Sequence, residues 1–232
     1  HKEWAEQDPE AWWKHTVKAV RKVMKRSGAS PDEIAAIGIT YQMHGLVVVN
    51  RDKKVLRKSI IWCDSRATSI GQEAFRTLGS EKCLTNYLNS PGNFTASKLR
   101  WVQENEPDIY RQIHKMMLPG DYLSMRLTGT ISTTHTGLSE GVLWDYSENN
   151  IAQELLETLE ISEELIPEYQ ESFSTHGTLT ESAARELGLK KEIPVTYKAG
   201  DQPNNALSLN VMNPGEVATT AGTSGVIYGV TD

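Results

Sequence analysis

The sequence predicts an α/β layered domain with a mixed sheet, and three observations lead to that prediction. Segments with strand-like and helix-like patterns alternate along the chain, which is typical of layered α/β domains. A hairpin signal near the front, in which residues 47–49 and 55–61 flank a polar turn at residues 50–53, adds an antiparallel pair. An apolar content of 38%, about 45% when glycine is counted, is ordinary for a globular protein. The length of 232 residues allows one large domain or two small ones.

Charge and composition exclude several function classes. A net charge of −6 argues against a surface that neutralises a nucleic-acid backbone, and the basic cluster at residues 14–26 is interpreted as the solvated side of a helix. No apolar run approaches the ~20 residues of a membrane span, and no signal-peptide pattern opens the chain. Cys63 and Cys83 lack metal-type spacing, and the six histidines are scattered. We therefore expect a cytoplasmic protein with free thiols, no zinc site and no nucleic-acid or membrane partner; a homodimer is allowed.

The first element is predicted to be a helix, and both of its ends carry signals. Asp8 followed by Pro9 is a typical helix start, with Asp as the N-cap and Pro in the first helical position. Apolar residues follow at helical spacing from Trp12 to Met24, and Gly28 is a C-terminal stop signal. We expect Trp4, Trp12 and Trp13 to pack in the core along this helix.

Later segments alternate between strand and helix patterns. The predicted strands are residues 34–40, 195–199, 216–220 and 226–230. The predicted helices are a polar stretch that follows residues 62–66 and ends at residue 78, two helices between residues 95 and 118 that are separated at Pro107, and residues 121–127, 151–159, 162–166, 180–187 and 203–209. Residues 130–141, rich in Thr, Ser and Gly, show no clear period and are predicted to form a loop.

The stretch from residue 200 to residue 225 carries the strongest candidate chemistry. Asp201 directly follows a predicted strand, and the carboxyl ends of strands are where open α/β sheets bind ligands. The turn at residues 222–225 joins the last two predicted strands, and its N–H and hydroxyl groups can hold phosphate oxygens. A carboxylate base and a phosphate cradle are therefore predicted to face one cleft.

A second predicted strand also ends in polar residues. The β-branched run at residues 34–40 is followed by Tyr41, Gln42, Met43 and His44. Polar groups at a strand end are candidates for a ligand site of the same kind.

Seven segments resemble the FGGY family of carbohydrate kinases, and within it the xylulokinases most closely. In chain order they read EQDPEAWW, AAIGITYQMHGLV, WCDSR, NFTASKLRWVQENEP, MMLPGDYLSMRLTG, AGDQPNN and AGTSG. They follow the family's order and span essentially the whole chain. The family's first signature is matched by Thr95, Lys98, Leu99, Trp101, Val102, Glu104 and Asn105.

The resemblance implies a two-lobed, actin-like ATPase fold with ribonuclease H-like layers, in which a sugar and ATP meet in a cleft. It matches residues 1–232 to most of the N-terminal, sugar-binding lobe, without the first phosphate-loop hairpin and without the C-terminal lobe that holds adenosine. Both ends of the chain are therefore expected to be truncated, and the chain alone is expected not to turn over ATP. The implied cofactors are ATP and Mg²⁺, and no residue of the chain is assigned to bind a metal.

The resemblance also implies roles for individual residues. Asp201 matches the catalytic base, which accepts the proton of the sugar hydroxyl as the O–P bond forms. Met43 and His44 match the positions that bind the ketose, and Gln202 either orients Asp201 or contacts the sugar. The phosphate-contacting turn is matched by Gly222, Thr223 and Ser224.

Each role has a simpler structural alternative. Asp201 alone can cap the following helix, the glycine-bounded turn can be a hairpin without a ligand, and the Met-His pair can be packed and hydrogen bonded without binding sugar. Two interpretations are also open for the segment with Trp62, Asp64 and Arg66. These residues either line the rim of the pocket, or Asp64 and Arg66 form a structural ion pair at a helix entry.

The predicted function is ATP-dependent phosphorylation of a ketopentose, D-xylulose to D-xylulose 5-phosphate. One segment leaves the choice of sugar open, because residues 133–141 read TTHTGLSEG and depart from the Asp-x-Ser-x-Ala-type pattern of xylulokinases. The alternatives are an FGGY kinase for ribulose, glycerol or gluconate, a non-catalytic sugar-binding regulatory module and, with less support, an actin-like assembly protein.

Overall fold

The structure, a computed structural model, describes residues 2–221 and 225–231. The helices are α1 (Pro9–Ser27), α2 (Thr68–Leu78), α3 (Ser80–Asn86), α4 (Thr95–Asn105), α5 (Pro107–Tyr110), α6 (Pro119–Thr128), α7 (His135–Glu140), α8 (Gln153–Thr158), α9 (Glu181–Leu187) and α10 (Asp201–Ser208). The strands are β1 (Glu6–Gln7), β2 (Ile37–Tyr41), β3 (Val47–Val49), β4 (Ser59–Ile60), β5 (Lys115–Met117), β6 (Thr133–Thr134), β7 (Trp144–Asp145), β8 (Asn150–Ile151), β9 (Tyr169–Gln170), β10 (Val195–Gly200), β11 (Val217–Ala221) and β12 (Gly225–Gly229). Short 3₁₀ turns occur at Pro31–Glu33 and Glu163–Leu165.

A parallel pair of strands, β2 and β10, positions the candidate site. Val195 of β10 lies opposite Ile37 of β2, and at the other end of the pair Gly200 lies opposite Tyr41. The two strands therefore end at the same edge. The pair packs against α1, α6 and α9 in a buried apolar cluster whose members include Trp13, Ile39, Tyr41, Tyr122, Leu187 and Val195.

The antiparallel pair β3–β5 lies between two apolar clusters. Val47 and Met117 belong to the cluster around β2 and β10. Val48 and Met116 belong to a second cluster, which includes residues of α2, α4 and α8. Successive side chains of a strand point to opposite faces, and both faces of this pair are covered. The three consecutive valines of β3 are accordingly all fully buried.

Both predicted ends of α1 are confirmed. The Asp8 carboxylate accepts a hydrogen bond of 3.0 Å from the Glu10 N–H, which satisfies one of the free donors of the first turn. Gly28 has a left-handed backbone (φ 71°), and its N–H donates to the Met24 carbonyl. Trp13 is buried in the core as expected, and Trp12 is partly buried against the same cluster. The prediction is wrong for Trp4, which lies before the helix and is 42% exposed.

The prediction of a long helix after Pro107 is wrong. Helix α5 ends at Tyr110, and Met116 and Met117 lie in strand β5. These two methionines pair with Val48 and Val47 of β3. The helical spacing of apolar residues arises because both sides of this short strand are buried, so tertiary packing overrides the local pattern.

The loop predicted at residues 130–141 is also partly wrong, because it contains strand β6 and helix α7. Thr134 caps α7, with its Oγ1 accepting a hydrogen bond of 2.9 Å from the Gly137 N–H. At six residues, α7 is too short to show a helical period in the sequence.

The predicted hairpin near the front is confirmed only at its turn. The Asn50 side chain accepts hydrogen bonds from the N–H groups of Asp52 and Lys54, and Val49 forms an isolated bridge with Val55. Strand β3 pairs along its length with β5, however, and β4 pairs with β1. Strand order depends on partners that are distant in sequence.

The predicted α/β architecture with both strand orientations is confirmed. Pairs β2–β10 and β6–β9 are parallel, and β1–β4, β3–β5, β7–β8 and β11–β12 are antiparallel. Across residues 2–221 and 225–231 these pairs form two-stranded sheets instead of one continuous mixed sheet. Cys63 and Cys83 are free thiols as predicted. Within the same described residues, no helix is both long enough and apolar enough to span a bilayer.

Candidate active site

The ends of β2 and β10 bring four of the predicted site residues to one cavity. Because Tyr41 and Gly200 lie opposite each other in the parallel pair, the residues that follow them leave the strands at the same edge. A cavity of about 300 Å³ lies there, and we call it the sugar pocket. Its lining consists of Gln42, Met43, His44, Trp62, Asp201, Gln202 and Val226.

Asp201 is the first residue of α10, and it does not cap that helix. The N-cap residue is Gly200, and no side chain makes a capping hydrogen bond there. The Asn204 amide instead donates to the Gly200 carbonyl at 2.8 Å. The Asp201 carboxylate accepts one long hydrogen bond, 3.4 Å from Gln202 Nε2. Asp201 lines the sugar pocket, and its role as a helix cap is not supported.

His44 is held by its backbone and by its ring. Its backbone is left-handed (φ 61°), and its main-chain oxygen accepts a hydrogen bond of 2.8 Å from Lys98 Nζ. Its ring Nδ1 donates to the main-chain oxygen of Glu140 at 2.8 Å. Burial lowers the pKa of the His44 imidazole, so the ring is neutral at physiological pH. A neutral ring with its proton on Nδ1 keeps Nε2 as a hydrogen-bond acceptor.

Lys98 of α4 stabilises the main chain next to the sugar pocket. Its side chain is fully buried, and Nζ donates to the carbonyls of His44 and Ile61, the latter at 3.1 Å. Burial lowers the pKa of Lys98 to about 8. Lys98 matches the family's first signature in the sequence, but its contact with His44 follows only from the tertiary structure.

Gly200 allows two side chains to approach the end of β10. A Cβ at this position would lie 2.5 Å from Met43 Cγ and 2.9 Å from Glu140 Oε2. Both distances are shorter than an ordinary van der Waals contact. Met43 and Glu140 can therefore pack beside Asp201 only because residue 200 has no side chain.

Glu140 is a residue of this region that sequence reasoning missed. It ends helix α7, and its carboxyl group interacts with the Tyr41 hydroxyl. Burial and the negative charge of Asp121 raise the pKa of the Glu140 carboxyl well above its usual range. The only sequence signal was that residues 133–141 depart from the family pattern.

Trp62 and the Asp64–Arg66 pair have different roles. Trp62 lines the sugar pocket and is half exposed, so it forms part of the rim. Asp64 and Arg66 are buried and joined by several hydrogen bonds, including 2.7 Å between Arg66 Nη2 and Asp64 Oδ2. Arg66 also pairs with Glu6 at 2.8 Å. For these two residues the structural ion-pair interpretation is confirmed.

The predicted phosphate-contacting residues Gly222, Thr223 and Ser224 lie outside the described residues. The strands on either side are β11 and β12, whose pairing runs from Val217 with Gly229 to Ala221 with Gly225. Across residues 2–221 and 225–231, no group of three His, Cys, Asp or Glu side chains is placed to hold a metal ion.

Comparison with known proteins identifies the family. Residues 1–208 match the FGGY family of carbohydrate kinases, N-terminal domain. The xylulose kinase of Escherichia coli (strain K12) is 32% identical over 233 residues, which covers 100% of this chain and 47% of that protein. The crystal structure of xylulose kinase from Rhodospirillum rubrum is similar with a TM-score of 0.92 at 27% identity, covering 98% of this chain and 47% of that one.

The fold extends to relatives with other names. The crystal structure of Plasmodium falciparum glycerol kinase with ADP has a TM-score of 0.88 at 22% identity, covering 98% of this chain and 46% of that one, which shows a shared fold. The chain spans about half the length of the curated relatives it matches. The family match and the structural similarity show that the chain belongs to the FGGY family of carbohydrate kinases, which has the actin-like ATPase fold.

Proposed function

We propose that this protein is an ATP-dependent sugar kinase of the xylulokinase type, which converts D-xylulose to D-xylulose 5-phosphate with Asp201 as general base. The observation that carries the proposal is the shared edge of β2 and β10, at which Met43, His44 and Asp201 line one cavity. The similarity to xylulose kinases over the whole chain supports the choice of sugar.

The reaction requires a positioned hydroxyl group and a proton acceptor. In the proposed pose the terminal C5 hydroxyl of the sugar donates a hydrogen bond to the Asp201 carboxylate. As the hydroxyl oxygen bonds to the γ-phosphorus and the bond to the leaving ADP oxygen breaks, the proton passes to Asp201. The hydroxyl becomes acidic as the new bond forms, so a carboxylate is a sufficient base.

The remaining pocket residues orient the sugar. His44 Nε2 accepts a hydrogen bond from a sugar hydroxyl, since Nδ1 is engaged with Glu140. Met43 packs against the sugar's apolar face, and Gln202 orients Asp201 through its amide. Mg²⁺, when bound with ATP, would supply charge neutralisation for the transferring phosphoryl group. The turn that includes Gly222, Thr223 and Ser224 is proposed to contact the phosphates through its main-chain N–H groups.

The test is phosphorylation by the full-length protein of a panel that contains D-xylulose, ribulose, glycerol and gluconate. We expect D-xylulose to have the highest kcat/KM. Asp201→Asn is expected to lower kcat by at least about 100-fold, the lower range for general-base catalysis, while sugar binding persists. Asp52→Asn, in the exposed turn after β3, is the matched control and should retain full activity.

Three outcomes contradict the proposal in whole or in part. If another sugar of the panel is phosphorylated and D-xylulose is not, the substrate assignment fails and the sugar kinase assignment stands. If Asp201→Asn retains the wild-type kcat, Asp201 is not the base. Binding of sugar without phosphorylation of any panel member would support the alternative of a non-catalytic sugar-binding module.

A further inference from the structure

A second cavity adjoins the sugar pocket. It has a volume of about 450 Å³, and we call it the distal cavity. Met43 lines both cavities, so it forms the wall between them. Asp201 lines the sugar pocket, whereas the neighbouring Gly200 lines the distal cavity. Its lining includes Met43, Glu140, Ser172, Phe173, Tyr197 and Gly200.

The Glu140 carboxyl is an incompletely satisfied polar group at this cavity. Its Oε1 atom is buried and has no hydrogen-bond partner among the described residues. A buried oxygen without a partner is unfavourable, so a ligand hydroxyl that reached it would form a hydrogen bond that the described residues leave unmade. Burial raises the pKa of the Glu140 carboxyl, and a protonated carboxyl can both donate and accept.

Hydroxyl groups line the same cavity. Thr136 Oγ1 and Ser172 Oγ are 2.7 Å apart and hydrogen bond to each other. Each hydroxyl group has one donor and two acceptor positions, so the pair retains acceptor capacity for a ligand.

An aromatic pair forms the apolar part of the lining. The rings of Phe173 and Tyr197 lie with centroids 4.6 Å apart and planes inclined by 36°. Phe173 is 75% exposed, which is unusual for a phenylalanine. Aromatic walls with a few placed polar groups are typical of small-molecule sites. Here they match a molecule that has both CH faces and hydroxyl groups.

The charges around the distal cavity favour a neutral ligand. Glu140 and Glu171 line it. The ionisable base in the lining is His135, whose Nδ1 lies 3.6 Å from Glu171 Oε2. An anionic ligand such as an aldonate or a sugar phosphate would meet carboxyl groups without a lysine or arginine to balance them.

We propose that the distal cavity is a polyol-binding subsite in which the Glu140 carboxyl hydrogen bonds a hydroxyl group of a neutral sugar. The orientation of the sugar in this subsite rests on the proposed function. In the proposed pose C5 of the sugar lies at Asp201, and the C1 end reaches past the Met43 side chain into the distal cavity. A separate polyol molecule has the same chemistry and would bind the same groups.

The experiment measures equilibrium binding to the full-length protein without ATP, by calorimetry, for D-xylulose and for its analogue that lacks the C1 hydroxyl. Glu140→Ala is expected to weaken D-xylulose binding about 10-fold, as for one buried hydrogen bond. The analogue should bind the wild type and Glu140→Ala equally. Glu140→Gln, whose amide also donates and accepts, should restore most of the affinity. Glu157→Gln, an exposed glutamate of α8, is the matched control and should bind as the wild type does.

The stoichiometry distinguishes the two sources of the ligand. One sugar per chain, with the Glu140 effect confined to D-xylulose, assigns the cavity to the distal end of the substrate. A second binding event for xylitol at saturating D-xylulose, lost in Glu140→Ala, assigns it to a separate polyol.

Two results overturn the inference. The first is unchanged binding of D-xylulose and xylitol by Glu140→Ala. The second is an equal loss for D-xylulose and its analogue, which indicates an indirect effect through His44. Neither result bears on whether Asp201→Asn abolishes phosphorylation. If the panel selects another sugar, the same comparison uses that sugar and its analogue lacking the hydroxyl farthest from the phosphorylated carbon.

Discussion

His44 Nδ1 lies 2.8 Å from the main-chain oxygen of Glu140, so the last residue of α7 orients the ring that follows strand β2. The main-chain oxygen of His44 is bound in turn by Lys98 of α4. Two helices distant in sequence therefore hold one residue. The left-handed backbone at residue 44 (φ 61°) is a conformation that His and Asn adopt more readily than most residues.

Replacing His44 by asparagine should distinguish the roles of the two ring nitrogens. His44→Asn keeps a donor near the position of Nδ1 and tolerates the backbone conformation, but it removes the Nε2 acceptor. We expect the KM for sugar to rise about 10-fold, as for one lost hydrogen bond, with a smaller change in kcat. Steady-state kinetics on the full-length protein measures this. His15→Asn, exposed on α1, is the control, and an unchanged KM in His44→Asn would exclude a sugar contact at Nε2.

Gly200→Ala should damage the site with little change to the rest of the fold. The new Cβ would lie 2.5 Å from Met43 Cγ and 2.9 Å from Glu140 Oε2, so both side chains must move. We expect a loss of about 1–3 kcal/mol in stability and a larger relative loss in sugar affinity. Gly229→Ala has nothing within 4 Å of its Cβ and should be neutral. Thermal unfolding and sugar titration of both variants test this, and wild-type affinity in Gly200→Ala would refute the packing argument.

Asp64→Asn should destabilise the protein without changing sugar recognition. The variant leaves the buried Arg66 guanidinium without its closest partner, which costs about 3–5 kcal/mol for a buried pair. Although burial raises the pKa of Asp64, the hydrogen bonds from Arg66 and Ala5 lower it overall. This carboxylate therefore stabilises the fold above its unfolded pKa of 3.8, and that contribution is lost as the pH falls further.

The measurement is urea unfolding at pH 7, with the KM for sugar determined where the variant is folded. Glu73→Gln breaks the Glu73–Arg76 pair, in which both side chains are exposed. It should cost less than about 1 kcal/mol. A raised KM in folded Asp64→Asn would contradict this expectation and indicate that the Asp64–Arg66 pair is part of the pocket rim.

Lys98 should make the stability depend on pH in the alkaline range. Burial lowers its pKa to about 8 in the folded protein, from 10.5. Between these values the unfolded chain binds more protons than the folded one, so this group's contribution to the free energy of unfolding rises with pH. The free energy of unfolding of the wild type minus that of Lys98→Met should therefore rise from pH 8 to pH 10.5. Urea titrations at several pH values check it, with Lys18→Met, exposed on α1, as control; a difference independent of pH would contradict it.

The chain of residues 1–232 by itself is expected not to turn over ATP. It spans 47% of the E. coli xylulose kinase to which it is similar. The family resemblance implies that adenosine is held by the C-terminal lobe, which residues 1–232 do not match. A phosphate-release assay on the purified chain, with the full-length protein as positive control, measures this. Hydrolysis above the blank that disappears in Asp201→Asn would contradict the expectation.

Much of the fold and of the site could be predicted from the sequence where the signals are local. Asp8, Pro9 and Gly28 define α1 because caps act on the backbone within one turn. Asp201 could be placed at a strand end because an apolar run precedes it. The placement of Met43 and His44 followed in the same way from the strand before them.

The sequence by itself thus placed the ends of β2 and β10 to within one residue, at 40 and 199 where the structure has Tyr41 and Gly200. The tertiary structure alone decided what the residues at those ends contact. The parallel register set Tyr41 opposite Gly200, and packing made a strand of Met116 and Met117 where their spacing indicated a helix. Glu140 is positioned by α7, a six-residue helix that has no periodic signal in the sequence. The physical reason is that contacts between β2, α4, α7 and β10 join segments far apart in the chain, and no local pattern encodes them.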